Sequence, residues 1–172
     1  PVVMAGALDA DPLVAGVLKE RAGELSRKAE QETVMLVAHG PVSDEDNTRW
    51  LGMMEQLARQ IQAEAGFHAV IPVTLRDDAP KEVREKAVEH MRAVVKAGSQ
   101  HGRVLVVPLL LAEGGIEQKI PKALKGLPYV FRGKTLLPHS NLSQWIVQQV
   151  NAAGAAASDA SVSEPIMLKS PS

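Results

Sequence analysis

The sequence predicts an α/β domain built on an open, mainly parallel, doubly wound sheet, and three observations carry that prediction. Apolar runs of strand length recur at 34–38, 69–74 and 104–111. Between them lie stretches whose apolar residues repeat at helical spacing. Gly, Pro, Ser or Asp punctuates most junctions. Strands that alternate with helices in this way pair in parallel, because the helix supplies the crossover that a parallel connection needs.

Val2-Val3-Met4-Ala5 reads as a short strand. Asp11-Pro12 then offers an N-cap and a first-turn proline. Val14, Val17, Leu18, Ala22 and Leu25 follow at helical spacing, which predicts a helix over 12–29. Residues 1–31 therefore form an N-terminal strand and helix, either an added unit or the end of a lost first half. The main α/β domain is expected over 32–151. Ala, Ser and Gly dominate 152–172, which reads as a loose C-terminal tail.

Within the main domain, Val34-Met35-Leu36-Val37-Ala38 is a buried strand ended by His39-Gly40-Pro41. Ser43 and Asp46 have capping-box spacing, and Trp50, Met54, Leu57 and Ile61 form one stripe of a helix reaching about residue 64. Gly66 ends it. The strand at 69–74 contains Pro72, which donates no ladder hydrogen bond and marks an edge or a bulge. Asp77 or Asp78 is expected to cap the next helix, with Pro80 in its first turn and Val83, Ala87, Met91, Val94 and Val95 on its buried face. The run 104–111 is a central strand passing into a loop at Pro108, and Gly114-Gly115 permits close backbone approach or positive φ. A short helix over 117–125, strand pieces at 129–131 and 136–137, and a helix with Leu142, Trp145, Ile146 and Val150 on one face complete the domain. Ser140 or Asn141 caps that last helix, and both tryptophans fall on apolar stripes and read as core.

Composition narrows the chemistry. The 172 residues carry 19 basic and 20 acidic side chains, so no global field calls for nucleic acid or an anionic membrane. No apolar run approaches the roughly 18 residues of a membrane span, and the chain reads as soluble, with the cytoplasm as the favoured compartment. Cysteine is absent, so a metal must be held by nitrogen or oxygen. Walker-type and G-x-G-x-x-G loops are missing, which argues against a nucleotide, as are G-x-S-x-G and H-E-x-x-H.

In an open parallel sheet, ligands bind beyond the carboxyl ends of the strands. The loops expected there are 39–47, 74–79, 111–117 and 138–141, carrying His39, Asp77, Glu113 and His139. His68, His90 and His101 are placed away from that rim. A histidine after a strand is either a hydrogen-bonded packing residue or a ligand. With Glu113 as a carboxylate partner, His39 would suit cobalt, nickel, iron or zinc.

The run Val-Met-Leu-Val-Ala-His39-Gly40, followed later by Val-Val-Pro108-Leu-Leu-Leu-Ala-Glu-Gly-Gly and by Ile120-Pro121, resembles the sirohydrochlorin cobaltochelatase-like group of class II tetrapyrrole chelatases, over about 32–150. The resemblance implies a chelatase-like, flavodoxin-like half. It implies a cleft for a planar tetrapyrrole and a divalent metal, cobalt, iron or nickel, as co-substrate. His39 would hold the metal and accept a pyrrole proton, with Glu113 as second ligand; Glu117, or a second half or subunit, could supply that ligand instead. Gly40, Pro41, Arg76, Gly114 and Gly115 would line the substrate cleft. Arg76, Lys119, Lys122, Arg132 and Lys134 are basic partners for a polycarboxylate, although a solvated helix face explains the lysines equally. Some relatives dimerise and others carry two halves, which implies a homodimer or a missing second half. Two positions depart from the pattern: Gly115 stands where a second metal-binding histidine is usual, and Lys119 where an aspartate commonly precedes Ile-Pro. Two functions follow, a chelatase inserting cobalt or iron into a sirohydrochlorin-like ring, or a non-catalytic metal- or tetrapyrrole-binding protein of the same fold.

Overall fold

A computed structural model describes residues 11–162, with side chains described as far as residue 154. The strand expected over 2–5 lies outside the described residues. Helix α1 (Pro12–Gly23) leads to strand β1 (Glu32–Ala38), α2 (Asp44–Ala65), β2 (Ala69–Thr74), α3 (Lys81–Gly98), β3 (Arg103–Pro108), α4 (Ile116–Ala123), β4 (Val130–Phe131) and α5 (Ser140–Val162). The four strands form one parallel sheet in the order β2-β1-β3-β4. The predicted fold class is therefore the observed one.

β1 is central, and all seven of its residues are buried. Successive side chains point to opposite faces of the sheet. Val34, Leu36 and Ala38 accordingly pack in the layer with α1, α2 and Leu142 of α5, whereas Met35 and Val37 pack with α3 and Ile120 of α4. Met35, Leu36 and Val37 are fully buried, and each such side chain contributes roughly 2 kcal/mol of transfer free energy. Pro72 sits on β2, an edge strand, where its missing N–H costs the sheet nothing.

Caps fix several boundaries. The Asp11 carboxylate accepts from the Leu13 N–H at 2.8 Å, and the Ser43 hydroxyl accepts from the Asp46 N–H at 3.1 Å. Gly66 ends α2 at φ 68°, a left-handed conformation that glycine adopts without steric cost. At the amino end of the sheet, Glu32 and Arg103 stand in register on β1 and β3 and form an ion pair at 2.6 Å.

Five expectations are corrected. α1 stops at Gly23 instead of residue 29, although Leu25 remains buried beyond it. Neither Asp77 nor Asp78 caps α3, whose N-cap is Pro80 with no side-chain hydrogen bond. Leu136 and Leu137 do not extend β4; their N–H groups donate to Leu110 and Leu111 across the loop after β3. Trp50 is 41% exposed, because its end of α2 overhangs the rim instead of the sheet, and Ile146 and Val150 of α5 are also exposed. Residues 152–162 continue α5 where a loose tail was expected, in keeping with the high helix propensity of alanine.

Candidate metal site at the strand ends

Because every strand runs the same way, the loops after β1, β2 and β3 share one edge. β2 lies on one side of β1 and β3 on the other, so the chain reverses its winding beside β1 and leaves a crevice beyond its carboxyl end. His39 is the first residue past that end.

Hydrogen bonds hold His39 there. The Leu75 N–H donates to the Ala38 carbonyl at 2.9 Å, the Arg76 N–H to the His39 carbonyl at 2.6 Å, and the Leu109 N–H to the Val37 carbonyl at 2.8 Å. Gly40 turns the chain at φ 78°, and a Cβ there would lie 2.5 Å from the Thr74 Cβ. Only glycine meets both constraints without displacement of β2.

The β2–α3 loop brings two carboxylates to the imidazole. One ligand atom each from His39, Asp77 and Asp78 lies within 4.8 Å of the others. The His39 Nε2 is closed to solvent and makes no hydrogen bond, although the Asp78 Oδ2 stands 3.3 Å away. An unpartnered imidazole nitrogen beside two carboxylate oxygens is a donor set suited to a divalent first-row metal. The Asp78 side chain is 69% exposed and accessible from outside. The Asp77 carboxylate, more enclosed, is ion-paired with the Lys119 ammonium from α4.

Beside His39 opens a largely apolar cleft of about 320 Å³. Trp50, Met53 and Met54 of α2 line one side, and Leu109, Leu110 and Leu111 of the loop after β3 line another. On the opposite layer, a larger cleft of about 740 Å³ between α3 and α4 reaches Asp77 and Lys119.

The other predicted site residues have defined places. Arg76, 8% exposed, spends its guanidinium on the β1–α2 loop: Nε donates to the Pro41 carbonyl at 3.1 Å, and the terminal nitrogens reach the Val42 carbonyl at 2.5 Å and Asp44 at 2.6 Å. It supports the loop behind His39 and is not among the residues that line the apolar cleft. Glu113 is exposed on the loop after β3 and outside the His39 group, so the assembled carboxylates come from the β2–α3 loop instead. Gly114 and Gly115 donate their N–H groups to Glu117, whose carboxyl is held below the usual carboxylate range chiefly by the Gly114 hydrogen bond. Gly115 begins α4 at φ 95°. His139, in place of the expected Ser140 or Asn141, caps α5 through Nδ1, which accepts from the Asn141 N–H at 3.1 Å, while its Nε2 meets Glu20 at 3.0 Å. His68 and His101 lie near each other at the opposite end of the sheet, with ring centroids 5.1 Å apart and planes tilted by 32°. Sequence reasoning put Asp77 on the rim but read Asp77 and Asp78 as helix caps; the signal available was an acidic pair in the short loop between a strand and a helix.

Fold and rim together define a parallel α/β domain with a histidine–carboxylate group at its winding reversal. The CbiX family model matches residues 33–153, and the chain belongs to that chelatase family. Among solved structures, the chain is similar to SirB from Bacillus subtilis with Fe3+, at a TM-score of 0.66 and 19% identity, over 90% of this chain and 59% of that one. It is also similar to DR2241 from Deinococcus radiodurans, described as a multi-domain protein with structural similarity to chelatases and two additional novel domains. That match has a TM-score of 0.56 and 16% identity, over 81% of this chain and 29% of that one. The chain thus spans about three-fifths of the SirB structure and less of the other. No curated protein matches it. Among the described residues, no helix is long and apolar enough to cross a membrane.

Proposed function

We propose that this domain inserts a divalent metal, cobalt or iron, into a sirohydrochlorin-like tetrapyrrole. The observation that carries the reading is the convergence of His39, Asp77 and Asp78 beyond the carboxyl end of β1, with the His39 Nε2 unpartnered. Membership of the CbiX family supports the reaction class, and the Fe3+ in the SirB structure supports a metal in this fold.

Three protein donors leave coordination positions open, which insertion requires, because the pyrrole nitrogens must replace the protein's ligands one after another. The ring loses two protons as it takes up the dication. Asp78, exposed and 3.3 Å from His39, is placed to accept one, and His39 accepts the other once the metal has left it. In this reading the macrocycle's flat face lies against the apolar cleft flanked by Trp50 and Leu110, beside His39. Arg76 acts as a positioning residue that fixes the loop from Pro41 to Asp44. A second copy of the chain completes the cleft in this reading, and a light-scattering mass equal to one chain would remove that part of it.

The alternative, a binding protein that holds metal or tetrapyrrole without turnover, is favoured by one observation: Gly115, at the start of α4, brings no imidazole where the resemblance leads one to expect a second metal ligand. Incubation with sirohydrochlorin and either Co2+ or Fe2+, followed by visible absorbance, separates the two. The chelatase reading expects insertion well above the uncatalysed rate; no acceleration with either cobalt or iron leaves the binding protein.

A further inference from the structure

We infer that Lys119 is a built-in competitor for the metal: its ammonium occupies Asp77 when the site is empty, and an incoming dication must displace it. The inference rests on the metal-site reading above and assigns this lysine a role in setting how tightly the ion is held.

Four observations converge on Lys119. Its Nζ is ion-paired with the Asp77 Oδ2, on the same carboxylate that faces His39 and Asp78. Asp77 has only this side-chain cation beside it among the described ion pairs; Arg84 reaches the Asp77 backbone carbonyl at 3.3 Å and leaves the carboxylate alone. The lysine comes from α4, a helix anchored by the fully buried Ile120, so its backbone is held in place while its side chain is 44% exposed. The displaced ammonium also has somewhere to go, because Lys119 already lines the 740 Å³ cleft between α3 and α4.

The electrostatics give the sign. Metal binding to Asp77 breaks the ion pair and leaves a positive charge a few ångströms from a dication. Both effects oppose binding, and a partly exposed pair screens them without abolishing them. A carrier that must hand its ion to a macrocycle benefits from such weakening, since an ion held too tightly is not transferred. Lys119 thereby lowers affinity at the site while keeping Asp77 in place when no ion is present.

Calorimetric titration with Co2+ tests this. Replacing Lys119 with Gln or Met removes the charge, and each variant is expected to bind Co2+ about tenfold more tightly than the parent chain. Lys119→Arg keeps the charge and is expected to stay within threefold of the parent. In the Asp77→Asn background, Lys119→Gln is expected to gain less than threefold, because the shared carboxylate is gone. Equal or weaker Co2+ binding by both the Gln and the Met variant, with His39→Ala still abolishing binding, overturns the inference and leaves the metal site standing. Absence of Co2+ binding in every protein, the parent included, overturns the metal site and the inference together.

Discussion

The Nε2 of His39 and the Oδ2 of Asp78 stand 3.3 Å apart at the ends of adjacent parallel strands, close enough for one ion to bind both and misaligned for a hydrogen bond. The pair is assembled by backbone bonds from Leu75 and Arg76 to β1 and its end, so its geometry precedes any ligand. Removing the imidazole is therefore expected to abolish Co2+ binding in His39→Ala, as read by calorimetry. Asp78→Asn is expected to weaken it at least tenfold; unchanged affinity in either variant would make that residue structural.

Glu113 offers a contrast. It lies on the exposed loop after β3, outside the His39 group. Glu113→Ala is expected to shift Co2+ affinity by less than threefold, and a loss matching that of Asp78→Asn would restore it as a ligand.

Gly40 bears the backbone cost of the site. Its φ of 78° and the 2.5 Å approach to Thr74 leave no room for a methyl group. Gly40→Ala is expected to cost about 2–4 kcal/mol of stability by denaturant unfolding, from combined overpacking and left-handed strain. A loss under 0.5 kcal/mol would mean that β2 yields easily.

Glu32 is expected to contribute to acid sensitivity from the far end of the sheet. Burial pushes its carboxyl up, but hydrogen bonds from Ser26 at 2.5 Å and from the Arg27 N–H, with the Arg103 charge, outweigh burial and hold it below its ordinary value of 4.5. A depressed carboxyl stabilises the fold above its unfolded value and loses that contribution as pH falls through the folded value. Glu32→Gln is expected to cost about 2–3 kcal/mol at pH 7. The gap to the parent should shrink below about pH 4.5, and a gap that widens on acidification contradicts this assignment.

Trp50 reports on the cleft. It is partly exposed and shares the cleft with His39. In a Trp145→Phe background, sirohydrochlorin is expected to quench Trp50 emission, while Co2+ affinity in Trp50→Ala stays unchanged. Quenching absent at saturating tetrapyrrole would place the macrocycle elsewhere.

Much of this fold was legible because burial and periodicity dictate it. The apolar run of β1, the edge-marking Pro72 and the caps Asp11, Ser43 and Gly66 each state a local constraint that tertiary packing obeys. His39 was legible for the same reason, as the residue that a terminated central strand delivers to the rim. Its carboxylate partners were not. Asp77 and Asp78 have the composition of a helix start, and only the pairing of β2 beside β1 brings them to the imidazole. Arg76 looked like a free cation on the rim; its burial depends on the path of the loop from Pro41 to Asp44. Trp50 looked like core because periodicity identifies a face without saying where the helix overruns the sheet.

Anomalous diffraction from crystals soaked in Co2+ tests the proposed site most directly. The expected result is a single strong peak within about 2.3 Å of the His39 Nε2 and of carboxylate oxygens from Asp77 and Asp78, with the Lys119 ammonium moved off Asp77. A peak at Glu113 or Glu117 with His39 unligated would contradict it.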